Sequence, residues 1–374
     1  MTEPLPTPTT DVSRCVADLE SHGYCYLDAA LGDAALTRVQ QRLTEQAQAE
    51  EQRGLAYKDG GPGQNWGDFR NQHGALRPAA FSESAGGCNQ RLWMLVNKGQ
   101  VFVELLQHAR MRQIIGAVLG EEYLLSSHIA NIARPGGVAM RLHTDQWWMP
   151  PPTRAHRRHL PAGSVKRERF DVNDDLGAAI SPPVVVNVLW MLDHFSEENG
   201  GTRLVPGSHL LGRQPEADAV SIAATAAAGT ALIVDGRTWH GTGANRGSSE
   251  RRAILTTFCA PQFRPQENYT VGTRPEVLSQ ASDDLRALLG LKVWNAYGRT
   301  GHPTADFVTP GADLIGELRP TGTGRMRDRK VSQGHSVVDR SDGGFHELSG
   351  QVGSSAGGGT TLRATDESSD SKSK

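Results

Sequence analysis

His143-Thr-Asp145 puts an imidazole and a carboxylate two positions apart, and a second imidazole, His240, follows 97 residues after the first. In an extended chain, positions i and i+2 face the same side, so His143 and Asp145 can offer a nitrogen and an oxygen to one ion. A histidine arriving from a distant strand would complete a two-histidine, one-carboxylate facial triad. That donor set suits non-haem Fe(II) and leaves three adjacent coordination positions for other ligands. H-x-D alone is a weak signal, its ordinary alternative being a hydrogen-bonded surface pair.

The neighbouring motifs sharpen the reading. Asn199-Gly-Gly-Thr-Arg-Leu-Val-Pro-Gly-Ser-His209 precedes the distal histidine, and His240-Gly-Thr-Gly-Ala-Asn245 runs toward Arg251-Arg252-Ala-Ile-Leu255. With a Gly23-Tyr24 opening, this ordered set over residues 20–265 resembles the phytanoyl-CoA dioxygenase family of Fe(II)/2-oxoglutarate oxygenases. The resemblance implies a mainly β fold with flanking helices, a double-stranded β-helix of the jelly-roll, cupin-like kind. It also implies Fe(II) on His143, Asp145 and His240, with 2-oxoglutarate and O2 as cosubstrates.

In that family an arginine 11 positions after the distal histidine pairs with the far carboxylate of 2-oxoglutarate, which here is Arg251. A planar guanidinium can grip a carboxylate through two parallel hydrogen bonds. Arg252 is the competitor. Strand alternation turns only one of the two inward, and the apolar pattern leaves both open, because Ala253 and Leu255 follow Arg251 while Ile254 and Phe258 follow Arg252. Thr242 matches a family hydroxyl that helps hold the same carboxylate, its alternative being a turn-stabilising threonine.

Trp147 and Trp148 start two residues after Asp145 and are expected to wall a substrate cavity, since such pockets are mostly apolar with a few polar groups. The alternative is that the indoles only cover the barrel end. The basic run Arg154–Arg169 could orient an anionic group, although charge runs are usually solvated faces. Lys98 reads as a solvated lysine, the alternative being a further positive contact to cosubstrate or substrate. His156 and His159 read as loop residues, the alternative being a metal site; His194 reads as a surface or turn residue, and His209 as closing a turn.

The reaction expected is hydroxylation, or another oxidation, of an unactivated C–H in a mid-sized, mainly hydrophobic small molecule such as a lipid or secondary metabolite. Two rivals remain: a cupin-like metalloenzyme using another divalent metal without 2-oxoglutarate, and a non-catalytic jelly-roll binding protein. Arg251 separates the first rival, which has no use for a buried guanidinium opposite the metal.

The elements that must position these residues follow from the chain's texture. Residues 11–20 and 34–49 have helical spacing, with Asp33 as an expected N-cap, and 101–119 reads as one helix ending at Gly120. Residues 23–28 read as a short strand. From Tyr123 on, short β-type runs separated by turn residues predict the core strands 123–132, 184–192, 231–235 and 253–258. Residues 1–10 are expected to be flexible and 11–320 to form one oxygenase domain. An insertion is expected at 151–180 and a disordered tail at 321–374, where large apolar residues are few. The loops 54–87 and 147–169 are expected to cover the site.

The 374 residues carry 39 Lys+Arg against 41 Asp+Glu, a balance that disfavours nucleic acid as a partner. Four dispersed cysteines and no visible signal peptide or membrane span predict a cytoplasmic protein acting on a small molecule, with no membrane partner.

Overall fold

A computed structural model describes residues 4–62, 87–149, 180–213, 215–216, 218–301 and 304–311. Helix α1 (Val12–His22) begins where the Asp11 carboxylate accepts from the Ser13 N–H at 2.9 Å, and it ends where the Gly23 N–H donates to the Leu19 carbonyl. Gly23 has φ +81°, and a Cβ there would lie 2.3 Å from Thr238 Oγ1, so no other residue fits. Strand β1 (Tyr24–Leu27) leads to α2 (Asp33–Gln52). Asp33 is not the cap as expected. It is already helical, with Gly32 at the cap position and no side-chain cap bond.

Strands β2 (Tyr57–Asp59) and β3 (Asn89–Leu92) pair antiparallel. The single helix expected over 101–119 is two, α3 (Gln100–Leu106) and α4 (Ala109–Leu119). His108 breaks it: its backbone is extended, and its Nδ1 accepts from the Met111 N–H at 3.1 Å, which caps the second helix.

Then come β4 (Leu124–Ala133), β5 (Val185–Met191), β6 (Arg203–Leu204), β7 (Ile222–Ala223), β8 (Ala231–Asp235), β9 (His240–Gly241) and β10 (Arg251–Cys259). Three short helices follow: α5 (Tyr269–Gly272), α6 (Pro275–Gln280) and α7 (Asp283–Leu288).

The strands form a seven-stranded sheet, β1-β8-β5-β10-β4-β3-β2, and a three-stranded sheet, β7-β6-β9, with every pairing antiparallel. This is the double-stranded β-helix. Alternation along β5 shows how it is filled. Val186, Val188 and Trp190 join a core with Leu43 of α2, Phe102 of α3 and Ile114 of α4, while Leu189 and Met191 join a second core with Phe195 and Leu204 of the smaller-sheet side. Both faces are covered, so the strand reads as a continuous apolar run.

Within residues 4–10, Thr9 pairs with β1. The Thr9 N–H donates to the Tyr26 carbonyl at 3.2 Å and the Asp28 N–H donates to the Thr9 carbonyl at 2.8 Å. Their Pro/Thr composition conceals backbone groups that the edge strand β1 can pair with. The expected insertion (all but its last residue), the tail and most of the 54–87 loop lie outside the described residues. The described residues all fall in one compact unit, residues 1–315. Among them, no helix is long and apolar enough to cross a membrane.

A buried polar network pins α5 to the sheet. His128 of β4 is fully buried, with Nδ1 2.9 Å from Thr256 Oγ1 and Nε2 3.0 Å from the Phe102 carbonyl. The Nε2–H tautomer satisfies both contacts. Glu267, also buried, accepts from the backbone N–H groups of His128 (2.8 Å) and Met94 (2.6 Å) and from the Tyr269 hydroxyl.

Burial holds His128 down at about 4, against 6.5 for a free imidazole. The unfolded chain therefore takes up a proton that the folded chain refuses, and stability should fall as pH drops from about 6.5 to about 4, by roughly 3 kcal/mol over that window. Burial raises the Glu267 pKa and so acts in the opposite sense. His128→Gln isolates the histidine: its melting temperature should depend less steeply on pH between 4 and 7. Parallel curves for variant and parent would exclude this titration.

Candidate metal centre

The site is built where the two sheets meet. In β9, His240 pairs with Leu204 of β6, and on its other side it bridges His143, with His143 N–H to His240 carbonyl 2.9 Å and the reverse bond 3.0 Å. Two residues later the Asp145 N–H donates to the carbonyl of Gly236, just past β8 of the larger sheet, at 2.8 Å. Only His143 of the H-x-D pair is thus in a ladder, and Asp145 opens a turn. Gln146 fixes that turn, donating from Nε2 to the Pro182 carbonyl and accepting from the Val184 N–H, both at 3.0 Å.

One donor atom from each of His143, Asp145 and His240 can be chosen so that all lie within 4.8 Å of one another. His240 Nε2 is 3.2 Å from Asp145 Oδ2, and His143 Nε2 is 3.6 Å from Asp145 Oδ1. Each imidazole has its Nδ1 on a backbone carbonyl, Arg141 at 2.9 Å for His143 and Thr238 at 2.8 Å for His240. Those contacts call for a proton on Nδ1 and direct the Nε2 lone pair to the shared space, the tautomer a metal requires. The donor set fits a divalent ion.

Asp145 has a further contact that the sequence reading missed. Asn187 of β5 donates from Nδ2 to Asp145 Oδ2 at 2.7 Å, and Thr257 of β10, opposite it in register, donates to Asn187 Oδ1 at 2.8 Å. The available signal was a lone amide in the apolar run Val185-Val-Asn-Val-Leu-Trp-Met191.

The two arginines of β10 part cleanly. Arg252 lies on the helix side and is engaged: Nη2 and Nε meet the Asp193 carboxylate at 2.7 and 3.0 Å, and Nη1 reaches Thr44 of α2 at 3.2 Å. Arg251 lies between the sheets, 1% exposed, its guanidinium carbon 4.5 Å from the Phe195 ring centre. Its Nε and Nη2 are buried without a hydrogen-bond partner among the described residues. Burial, and secondarily the charge of Arg91, lower its pKa to about 10. A buried cation with two orphaned donors is costly, and it fits the far carboxylate of a dicarboxylate such as 2-oxoglutarate.

The glycine and asparagine motifs supply the scaffold for Arg251. A Cβ on Gly243 would come within 2.5 Å of the Gly201 carbonyl, so the Asn199-Gly-Gly turn and the chain after His240 pass backbone against backbone. Asn245 Nδ2 donates to the carbonyls of Ala133 and Ser249 at 2.9 and 3.0 Å, which sets the turn into β10. Thr242 is half-buried, its carbonyl accepting from the Met140 N–H at 2.9 Å.

Trp147 is half-buried, and Trp148 packs its ring 4.8 Å from that of Phe263 beside Val184 and Cys259, so Trp148 at least covers the barrel end. Lys98 pairs with Glu50 at 2.6 Å. His209 rests its Nε2 3.0 Å from the Glu20 carbonyl, closing the turn against α1. His194 is exposed. His156, His159 and the Arg154–Arg169 run lie outside the described residues.

Comparison with known proteins bears on this constellation. The family model described as Phytanoyl-CoA dioxygenase (PhyH) matches residues 19–253. The chain is 28% identical over 288 residues to dioxygenase af480 of Aspergillus fumigatus, covering 76% of this chain and 78% of that protein. It is 36% identical over 118 residues to dioxygenase andF of Emericella variicolor, covering 31% of this chain and 41% of the relative. Among solved structures, the epimerase SnoN in complex with Fe3+, α-ketoglutarate and nogalamycin RO aligns at TM-score 0.46 and 16% identity, over 74% of this chain and 93% of SnoN. The family match spans more than half of the residues and includes the three converging side chains: the chain belongs to the phytanoyl-CoA dioxygenase family and is an Fe(II)- and 2-oxoglutarate-dependent dioxygenase.

Proposed function

We propose that His143, Asp145 and His240 hold the Fe(II), that Arg251 and Thr242 receive the far carboxylate of 2-oxoglutarate, and that the enzyme oxidises an unactivated C–H of a mid-sized, mainly hydrophobic small molecule. The observation that carries this is the convergence of the three side chains, with both Nε2 atoms turned inward by carbonyls on Nδ1. Bound Fe(II), with 2-oxoglutarate and O2, supplies the oxidising power for such a bond, the part of the chemistry that no side chain can provide.

The chain's own share is placement. Arg251, buried against Phe195, offers a charge and two nitrogens without a hydrogen-bond partner among the described residues, so an incoming carboxylate is bound in one orientation. That orphaned guanidinium favours this reading over a metalloenzyme working without 2-oxoglutarate. The carboxylate of Asp145 leaves no vacant place for a halide, which favours oxygen insertion or hydrogen removal over halogenation.

For the substrate, Trp147 and Trp148 lie in the same turn as Asp145, and we assign both indoles to the substrate side, with Trp148 shared between that role and packing on Phe263. Trp147→Ala should weaken oxidation of the substrate while sparing 2-oxoglutarate turnover in its absence. Trp148→Ala should in addition lower the melting temperature. Loss of uncoupled turnover in both would make the tryptophans purely structural. The four cysteines are all free and three are buried, in keeping with the reducing cytoplasm.

The test of the whole reading is to load the protein anaerobically with Fe(II) and 2-oxoglutarate, add a metabolite extract, admit air and follow succinate. Succinate formation, with a metabolite gaining one oxygen or losing two hydrogens, is expected. No succinate from metal-loaded protein would overturn it.

A further inference from the structure

We infer that Asn187 is a positioning residue for the metal centre: anchored by Thr257, it holds the Asp145 carboxylate in the rotamer that faces both imidazoles. The inference rests on the metal site proposed above and concerns how one of its side chains is kept in place.

The need arises from the local backbone. Asp145 stands in a turn, outside any ladder, and carboxylate torsions are broad and soft, so its own main chain does not decide where the two oxygens point. Asn187 comes from the opposite kind of place. It lies in β5, paired on one side with Val234 of β8 and on the other with Thr257 of β10, in the middle of the seven-stranded sheet. Its side chain spans from that rigid centre to the turn, 2.7 Å from Asp145 Oδ2.

The amide's direction is itself specified. Thr257 Oγ1 lies 2.8 Å from Asn187 Oδ1, and with that hydroxyl donating, the amide hydrogens face Asp145. The flipped amide would turn its oxygen on a carboxylate. Asn187 is 6% exposed and Thr257 7%, and polar groups buried to that degree destabilise a core unless they are paired. In this face of β5 and β10, where Leu189, Met191 and Ala253 are apolar, the chain keeps two polar residues whose hydrogen bonds lead to Asp145.

Partners that orient metal ligands typically affect affinity by about 10- to 100-fold. The test measures Ni(II) affinity of the full-length, metal-free chain by calorimetry, and the visible spectrum of the Co(II)-loaded form. Asn187→Ala should bind Ni(II) about 10- to 100-fold more weakly and alter the Co(II) spectrum. Thr257→Val should show a smaller change of the same kind, and the double variant should bind no more weakly than Asn187→Ala, because both act through one chain of hydrogen bonds. Thr256→Val, which removes a buried hydroxyl on the opposite face of the same strand, should leave affinity and spectrum unchanged.

Affinity and Co(II) spectrum within about twofold of the parent in both folded variants would overturn the inference, as would additive losses. If Asn187→Ala fails to fold, Thr257→Val decides by the same criterion. Failure of the underlying site would look different: the parent would not bind Ni(II), or His143→Ala would bind it equally well.

Discussion

Asp145→Ala should abolish Fe(II) retention and lower 2-oxoglutarate turnover by at least about a thousandfold, equivalent to about 4 kcal/mol at 1.4 kcal/mol per decade. Asp145 is the sole anionic member of the His143, Asp145, His240 group, and without it two neutral imidazoles face a dication. The same change leaves the Asn187 amide without its acceptor, and an unsatisfied buried donor costs about 1–3 kcal/mol. Loss of activity and a modest fall in the metal-free melting temperature should therefore appear together. His240→Ala should remove activity as fully, with no effect on the Asn187 contact. Metal content after desalting and succinate formation are the measurements, and near-normal iron in Asp145→Ala would displace the metal from these residues.

The second large effect concerns the cosubstrate and has opposite signs in function and stability. Arg251→Leu should raise the KM for 2-oxoglutarate at least about thirtyfold, since hydrogen bonds to a charged group contribute about 1.5–3 kcal/mol each, while iron binding changes little. In the absence of cosubstrate the same variant should melt higher than the parent. It replaces a buried guanidinium with two unpartnered nitrogens by an apolar side chain in an apolar setting, an exchange of the kind that is often stabilising by about 1–4 kcal/mol. Arg252→Leu should behave in reverse, losing stability with its Asp193 clamp and leaving KM within about threefold. The opposite ranking would mean that the far carboxylate is bound on the helix side of β10.

What the sequence made legible divides along physical lines. The strand expected at 231–235 coincides with β8, and those at 184–192 and 123–132 fall within a residue or so of β5 and β4; β5 and β8 stand out because strands buried on both faces show as apolar runs. The edge strand β2 and its neighbour β3 were invisible. Asn89, Gln90 and Arg91 are buried although polar, being satisfied by partners distant in sequence: Gln90 donates to the Ala47 carbonyl and Arg91 pairs with Asp59.

The three proposed ligands stood out because few side-chain types can ligate iron. The choice between Arg251 and Arg252 could not be made from pattern, since both faces of β10 are covered. Asp193, 59 positions away, is what occupies the second of them. Asn187 and Thr257 escaped notice for a related reason, as their task is defined by a turn that no strand pattern foretells.

The bridging of the two sheets at the site bears on the protein's lifetime. His143 and His240 extend the smaller sheet, whereas Asp145 hangs from the larger one through Gly236 and Asn187. An ion held by all three fastens one sheet to the other, so its binding free energy also resists opening: at a free ion concentration about 100 times the Kd it adds about 2.7 kcal/mol. Without the ion, that corner keeps only hydrogen bonds: the backbone pair of the His143–His240 bridge on one side, and those of Asp145 and Gln146 on the other. Local opening there exposes main chain to proteases, and cleavage follows the open population when opening is fast. Iron scarcity would then thin out the enzyme itself as well as idle it, coupling its abundance to the supply of the metal it consumes no part of.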